Sequence, residues 1–96
     1  MKVSIITINY NSSSHTIKLV ESLLRYISNE INYEIIITDN ASSNKDYKYL
    51  IANIPDDARV KIYRSNINTG FAEGNMQGYS KSDGEYLLFI NNDCVC

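Results

Sequence analysis

At 96 residues the chain holds a single domain with a modest core and no space for a second lobe. Its 44% hydrophobic and 21% charged residues exclude a disordered, solvated composition. A net charge of −2, with Lys and Arg scattered along the chain, argues against a dedicated nucleic-acid binder, which needs clustered cations to meet phosphate.

The opening run "KVSIITIN", Lys2 to Asn9, is β-branched and too apolar for a one-sided surface strand, so it reads as a buried, central strand. Asn11 and serines 12 to 14 offer N-cap oxygens. Ile17, Val20, Leu24 and Ile27 then recur at helical spacing, predicting a helix from His15 to Ser28. "YEIIIT", Tyr33 to Thr38, repeats the buried-strand pattern and is halted by Asp39 and Asn40. "ASSN" caps a second, more exposed helix over Lys45 to Asn53. After the turn at Pro55 to Asp57, "RVKIYRS" alternates Val60 and Ile62 with Lys61 and Tyr63, as a half-buried edge strand does. "FAEGNMQGYSKS" predicts a short helix weakened by Gly74 and Gly78, and a fourth strand follows from Glu85 to Asn91. Strands alternating with helices across short loops favour right-handed crossovers, and so a three-layer α/β domain with a parallel sheet.

No apolar run approaches the ~18 residues of a membrane span, and no small-residue cleavage site follows the first strand. A soluble, cytoplasmic protein is expected. Cys94 and Cys96 are too close for an ordinary disulfide and too few for a zinc site, so they read as reduced thiols. His15, the single histidine, reads as a surface residue.

Ligands of open α/β sheets bind outside the carboxyl ends of the strands. Asn9, Tyr10 and Asn11 stand there, as do Asp39 and Asn40, Ser65 and Asn66, and Asn91, Asn92 and Asp93. Each has an ordinary alternative as a turn former or cap. Together they converge on one rim, which favours a site. A carboxylate such as Asp93 at the end of an apolar strand gains little unless solvated or bound to a cation, and Mg²⁺ or Mn²⁺ suits oxygen ligands. The glycines of "NTGFAEGNMQG" permit either tight packing on the sheet or close approach of a ligand. No Lys-Ser or Lys-Thr follows them, so they are not a phosphate P-loop, and their spacing is not that of a dinucleotide fingerprint.

Four segments in order resemble the inverting family 2 glycosyltransferases of GT-A fold, close to their rhamnosyltransferase-like branch. These are "VSIITINYN", "EIIITDNASSN", "NTGFAEGNMQG" and "YLLFINND", and the resemblance covers essentially the whole chain. It implies a Rossmann-like parallel sheet of order 3-2-1-4, the nucleotide-binding half of a GT-A fold. It implies that Asn9 and Tyr10 border the nucleobase and that Asp39 binds the base or ribose of a UDP- or dTDP-linked sugar. Asn68, Gly70, Phe71 and Asn75 would shape the middle of the donor pocket, with Asn92 joining the nucleotide-sugar contacts. Asp93 would hold Mg²⁺ or Mn²⁺ against the diphosphate. Asn91 stands where many members carry a further Asp, which leaves one carboxylate for the ion.

Members of that family continue well past this length, into the acceptor pocket and the acidic residue that deprotonates the acceptor. The resemblance therefore implies that residues 1–96 are a truncated donor-binding domain, with no catalytic base assigned and little transfer activity alone. The full enzyme would serve a glycan or lipid-linked acceptor in cell-wall or polysaccharide synthesis, at the membrane periphery. Self-association through the uncovered side of the fourth strand is a further expectation. Two rivals remain: a catalytically silent nucleotide-binding or interaction module, and a receiver-like or phosphatase domain using Asp39. The second needs acidic residues where this chain has Asn9 and Asn11.

Overall fold

The computed structural model of the chain describes residues 2–65 and 84–90. Over these residues the chain runs β1 (Lys2–Asn9), α1 (Ser13–Tyr26), β2 (Asn32–Asn40), α2 (Asn44–Asn53), β3 (Val60–Ser65) and β4 (Tyr86–Phe89). The strands form one sheet of order β3-β2-β1-β4, every neighbouring pair parallel. The chain steps outward from β1 through β2 to β3 and then returns to the other side of β1. The topological switch point therefore lies between the carboxyl ends of β1 and β4.

The two-residue period of the strands sorts their side chains. Ile5 of β1 and Tyr33, Ile35 and Ile37 of β2 face Ile17, Leu19, Val20 and Leu23 of α1 and Leu50 of α2, forming the core. The alternate residues Ser4, Ile6, Ile8, Glu34, Ile36 and Thr38 are buried as well, so β1 and β2 are covered on both faces, as continuous β-branched runs require. Full burial of each such aliphatic side chain contributes roughly 1.5–3 kcal/mol.

The α1 helix begins and ends slightly earlier than its apolar spacing predicts. Its buried stripe uses Leu19 and Leu23, while Leu24 and Ile27 pack at the margin. The chain turns extended at Ile27, whose N–H still donates to the Leu23 carbonyl (2.9 Å). The α2 helix buries only Leu50 and is capped by Ser43, whose hydroxyl accepts from the Asp46 N–H (3.2 Å). Before β3, Arg59 pairs with Asp57 (2.8 Å) and lies over the Tyr33 ring (4.7 Å to its centre). The Arg59 hydrogen bonds hold the Asp57 carboxyl down at about 2.

β3 is the edge strand its alternation predicts, half-buried along its length. β4 is shorter than predicted, but Glu85 N–H to the Lys2 carbonyl (2.8 Å) and Ile90 N–H to the Ile6 carbonyl (2.9 Å) continue its pairing with β1. Asn68, Gly70, Phe71, Asn75, Asn92 and Asp93 lie outside the described residues, as do the predicted glycine-bearing helix and both cysteines. Among the described residues no helix is long and apolar enough to cross a membrane.

Candidate functional site

Strand register builds the rim. Asn9 pairs with Asp39, and Asp39 with Arg64, so one rung across β1, β2 and β3 presents an amide, a carboxylate and a guanidinium side by side. All three side chains follow the parity of the core face and point toward the helices.

Asp39 is entirely buried. Its Oδ1 accepts from the Asn9 Nδ2 (2.8 Å) and the Ser42 hydroxyl (2.6 Å). Its Oδ2 is held more loosely, by the Ser42 N–H (3.3 Å) and by the Arg64 Nε at 3.5 Å. Asn9 is buried as well, and its Oδ1 accepts from Thr16 (2.7 Å) and Ser12 (3.4 Å). The Asn9 amide also reaches Asp46 Oδ2 (3.1 Å), so it stands as a donor between two carboxylates. Such bridging relieves the cost of bringing two anions together out of water.

Asp46 has a second task. The N-cap of α1, Ser12, makes no side-chain capping bond. Instead Asp46, reaching from α2, accepts from the Ser13 N–H (3.2 Å) and hydroxyl (2.8 Å). The start of one helix is thus capped by the first turn of the other. Burial alone would raise the Asp46 carboxyl, but the hydrogen bonds from Ser13, Asn9 and Ser42 outweigh it and hold the group below its ordinary value of 3.8.

The turns after β1 and β2 are stitched together. The Asn11 N–H donates to the Ser42 hydroxyl (2.9 Å), and the Ser43 N–H to Asn11 Oδ1 (2.8 Å). Both turns need a left-handed residue: Asn11 at φ 49 and Ala41 at φ 59. Asn tolerates that region, whereas Ala is strained there and is held in part by its N–H bond to the Ser65 carbonyl (3.0 Å). Arg64 closes the far end of the rung. Its Nη2 donates to the Ser42 carbonyl (2.9 Å) and Asn44 Oδ1 (3.2 Å), and its guanidinium stacks 4.3 Å from the Tyr47 ring centre. Tyr10, 50% exposed, stands on the open rim beside this network.

The structure therefore joins Asn9 directly to Asp39 and leaves Tyr10 accessible. Sequence reasoning missed Thr16, Ser42, Asp46 and Arg64. Arg64 carried a usable signal, since it stands near the end of β3 in step with Val60 and Ile62. Asp46 carried none, being one polar residue on an exposed helix. His15 is exposed, as expected. A groove of about 640 Å³ opens beside the rim, lined by Asn11, Ser13, Ser43 and Asp46 and by Lys48 and Tyr49 of α2. It runs along the helices rather than over the switch point, and the strand ends, where backbone and polar side chains converge, remain the better place for a ligand. Among the described residues no group of three or more His, Cys, Asp or Glu could hold a metal. Asp39 and Asp46 do not form such a pair, because the Asn9 amide donor lies between them.

The profile of the family described as "Glycosyl transferase family 2" matches residues 4–96. An uncharacterized glycosyltransferase of Rickettsia bellii is 34% identical over 96% of this chain, and another, of Haemophilus influenzae, 33% over 95%. This chain spans 13% and 29% of those two relatives. Among solved structures, Staphylococcus aureus TarS in complex with UDP-GlcNAc superposes with a TM-score of 0.81 at 22% identity, over 97% of this chain and 27% of that one. Sheet order, strand register and family profile agree: the chain belongs to glycosyl transferase family 2.

Proposed function

We propose that residues 1–96 bind the donor, a nucleoside-diphosphate sugar, across the carboxyl rim of the sheet. The parent enzyme transfers that sugar, with inversion, to a glycan or lipid-linked acceptor. The observation that carries this reading is the rung of Asn9, Asp39 and Arg64, which sets a carboxylate against the turn bearing an exposed aromatic. Tyr10 offers a stacking face for the base, and Asp39 an acceptor for a base or ribose hydrogen. Asn9 orients Asp39 from within the fold. Asn68, Gly70, Phe71, Asn75 and Asn92 complete the donor pocket. TarS, which shares the fold, was solved with UDP and with UDP-GlcNAc, which favours a uridine donor.

Mg²⁺ or Mn²⁺ fits this reading through Asp93, and when bound it would neutralise the diphosphate leaving group. Titration calorimetry with UDP and with dTDP, each with Mn²⁺, tests the proposal. Heat from either nucleotide on the folded chain is the expected result. A folded chain silent to both would leave a structural or interaction module instead. Self-association along β4 belongs to the same reading and draws support from the exposure of Tyr86, Leu88 and Phe89. Light scattering that finds a clean monomer at high concentration would remove it.

A further inference from the structure

We propose that Asp46 is a positioning residue of the donor site, holding the turn between β1 and α1 so that Tyr10 stands outward at the rim in a fixed place. The inference rests on the proposed donor site and adds to it a residue of α2 that lies outside every segment carrying the family resemblance.

The ties alternate along the turn. Asn9, Asn11 and Ser13 each bond to the stretch between Asp39 and Asp46, whereas Tyr10, between the first two, turns half of its surface to solvent. Asp46 holds the turn from both sides of the ring. Its Oδ2 accepts from the Asn9 amide (3.1 Å), just before Tyr10, and its Oδ1 accepts from the Ser13 N–H (3.2 Å) and hydroxyl (2.8 Å), just beyond the turn. Ser42 and Ser43 hold the middle, at Asn11. That middle residue sits at φ 49, a conformation that persists in a residue other than glycine where the surrounding bonds over-determine it.

A carboxylate is the group this arrangement requires. Asp46 meets donors in both directions, the Asn9 amide on one side and Ser13 on the other, and a carboxylate accepts on both oxygens. An amide at this position could accept on one side only and would turn its own N–H groups against a donor on the other. The carboxylate is also carried on a fixed support. The Asp46 N–H donates to the Ser43 hydroxyl (3.2 Å), and Leu50, one helical turn further on, is buried in the core. The tie therefore runs from the core through α2 to the turn that bears Tyr10.

Order at the ring has a functional consequence. A base that stacks on an aromatic side chain already held in place loses less freedom on binding than one that must first organise the loop. Loss of the carboxylate releases Ser13 on one side of the ring and loosens Asn9 on the other. A helix cap with no further role would alter stability alone, so coupling between Asp46 and Tyr10 in ligand affinity separates the two roles.

The test is a double-mutant cycle: UDP affinity, by calorimetry with Mn²⁺, for the unmodified chain, Asp46→Asn, Tyr10→Ala and the double variant, with circular dichroism verifying the fold of each. Tyr10→Ala should weaken UDP about tenfold by removing the stacking face, and Asp46→Asn about tenfold by loosening it. Because both act through one ring, the double variant should lose little more than either alone. Ser13→Ala removes the hydroxyl bond to Asp46 and keeps the backbone one, so it should give a smaller loss, coupled to Tyr10 in the same way, and it replaces Asp46→Asn if that variant fails to fold. Undiminished UDP affinity in whichever of these variants folds, or a loss of the same factor with and without the Tyr10 ring, would overturn the assignment and leave the donor site standing. A folded, unmodified chain that does not bind UDP removes the donor-site reading, and this inference with it.

Discussion

β2 carries a buried carboxylate at each end, and the two are treated differently. Glu34, at the amino end, accepts from the Ser4 hydroxyl (2.6 Å) and from Lys61 (2.8 Å), with Lys2 at 3.8 Å. Ser4 in turn accepts from the Gly84 N–H (2.9 Å), so this one cluster ties β1, β2 and β3 to the approach to β4. Two lysines neutralise one glutamate there, on the face turned away from the helices. Asp39, at the carboxyl end, is met among the described residues mainly by neutral donors, with the Arg64 guanidinium at 3.5 Å. The turns around it are strained at Ala41 and laced together by serines. A buried charge matched tightly by cations fixes strand register, whereas one matched loosely beside a strained turn is placed to exchange partners with a ligand.

That contrast breaks most visibly at Glu34. Glu34→Ala removes the acceptor of the Ser4 hydroxyl and the buried carboxylate beside the two lysines, and should cost about 2–4 kcal/mol in urea unfolding. Nucleotide affinity of the folded fraction should be unaltered. Gly84→Ala attacks the same cluster sterically, since a Cβ would sit 2.7 Å from the Ser4 nitrogen and closer still to its hydroxyl. A loss of roughly 1–3 kcal/mol is expected. At the rim the effects are smaller. Asp46→Asn weakens the borrowed cap of α1 by about 1 kcal/mol. Because the folded Asp46 carboxyl titrates below its ordinary value, its contribution is present above 3.8 and is lost as the pH falls through the lowered value. The gap between wild type and Asn variant should therefore close in acid, as pH-dependent unfolding would show. Ala41→Gly relieves the left-handed strain and should gain up to about 1 kcal/mol in thermal unfolding.

Much of this molecule was legible in its sequence. β-branched runs gave β1 its full extent, and the alternation in β3 marked it as an edge. Asn9, Tyr10 and Asp39 stood out because strand ends are where an α/β sheet exposes polar groups. The bonds that give those residues their character were not legible. Asn9 to Asp46 and Arg64 to Ser42 join positions far apart in the chain, and periodicity states which face a side chain takes but not what it meets there. The start of α1 shows the same limit, for a run of serines promised a local cap and a residue of another helix supplies it.

The most direct test sets the two carboxylates of β2 against each other: UDP affinity, measured by calorimetry with Mn²⁺, for Asp39→Asn and Glu34→Gln. Asp39→Asn should weaken UDP about a hundredfold, since it removes the charged acceptor at the rim. Glu34→Gln should lower the unfolding midpoint and leave UDP affinity as it was. Undiminished UDP binding by Asp39→Asn, or an equal loss in both variants, would contradict the division of the sheet into a structural floor and a ligand-binding rim.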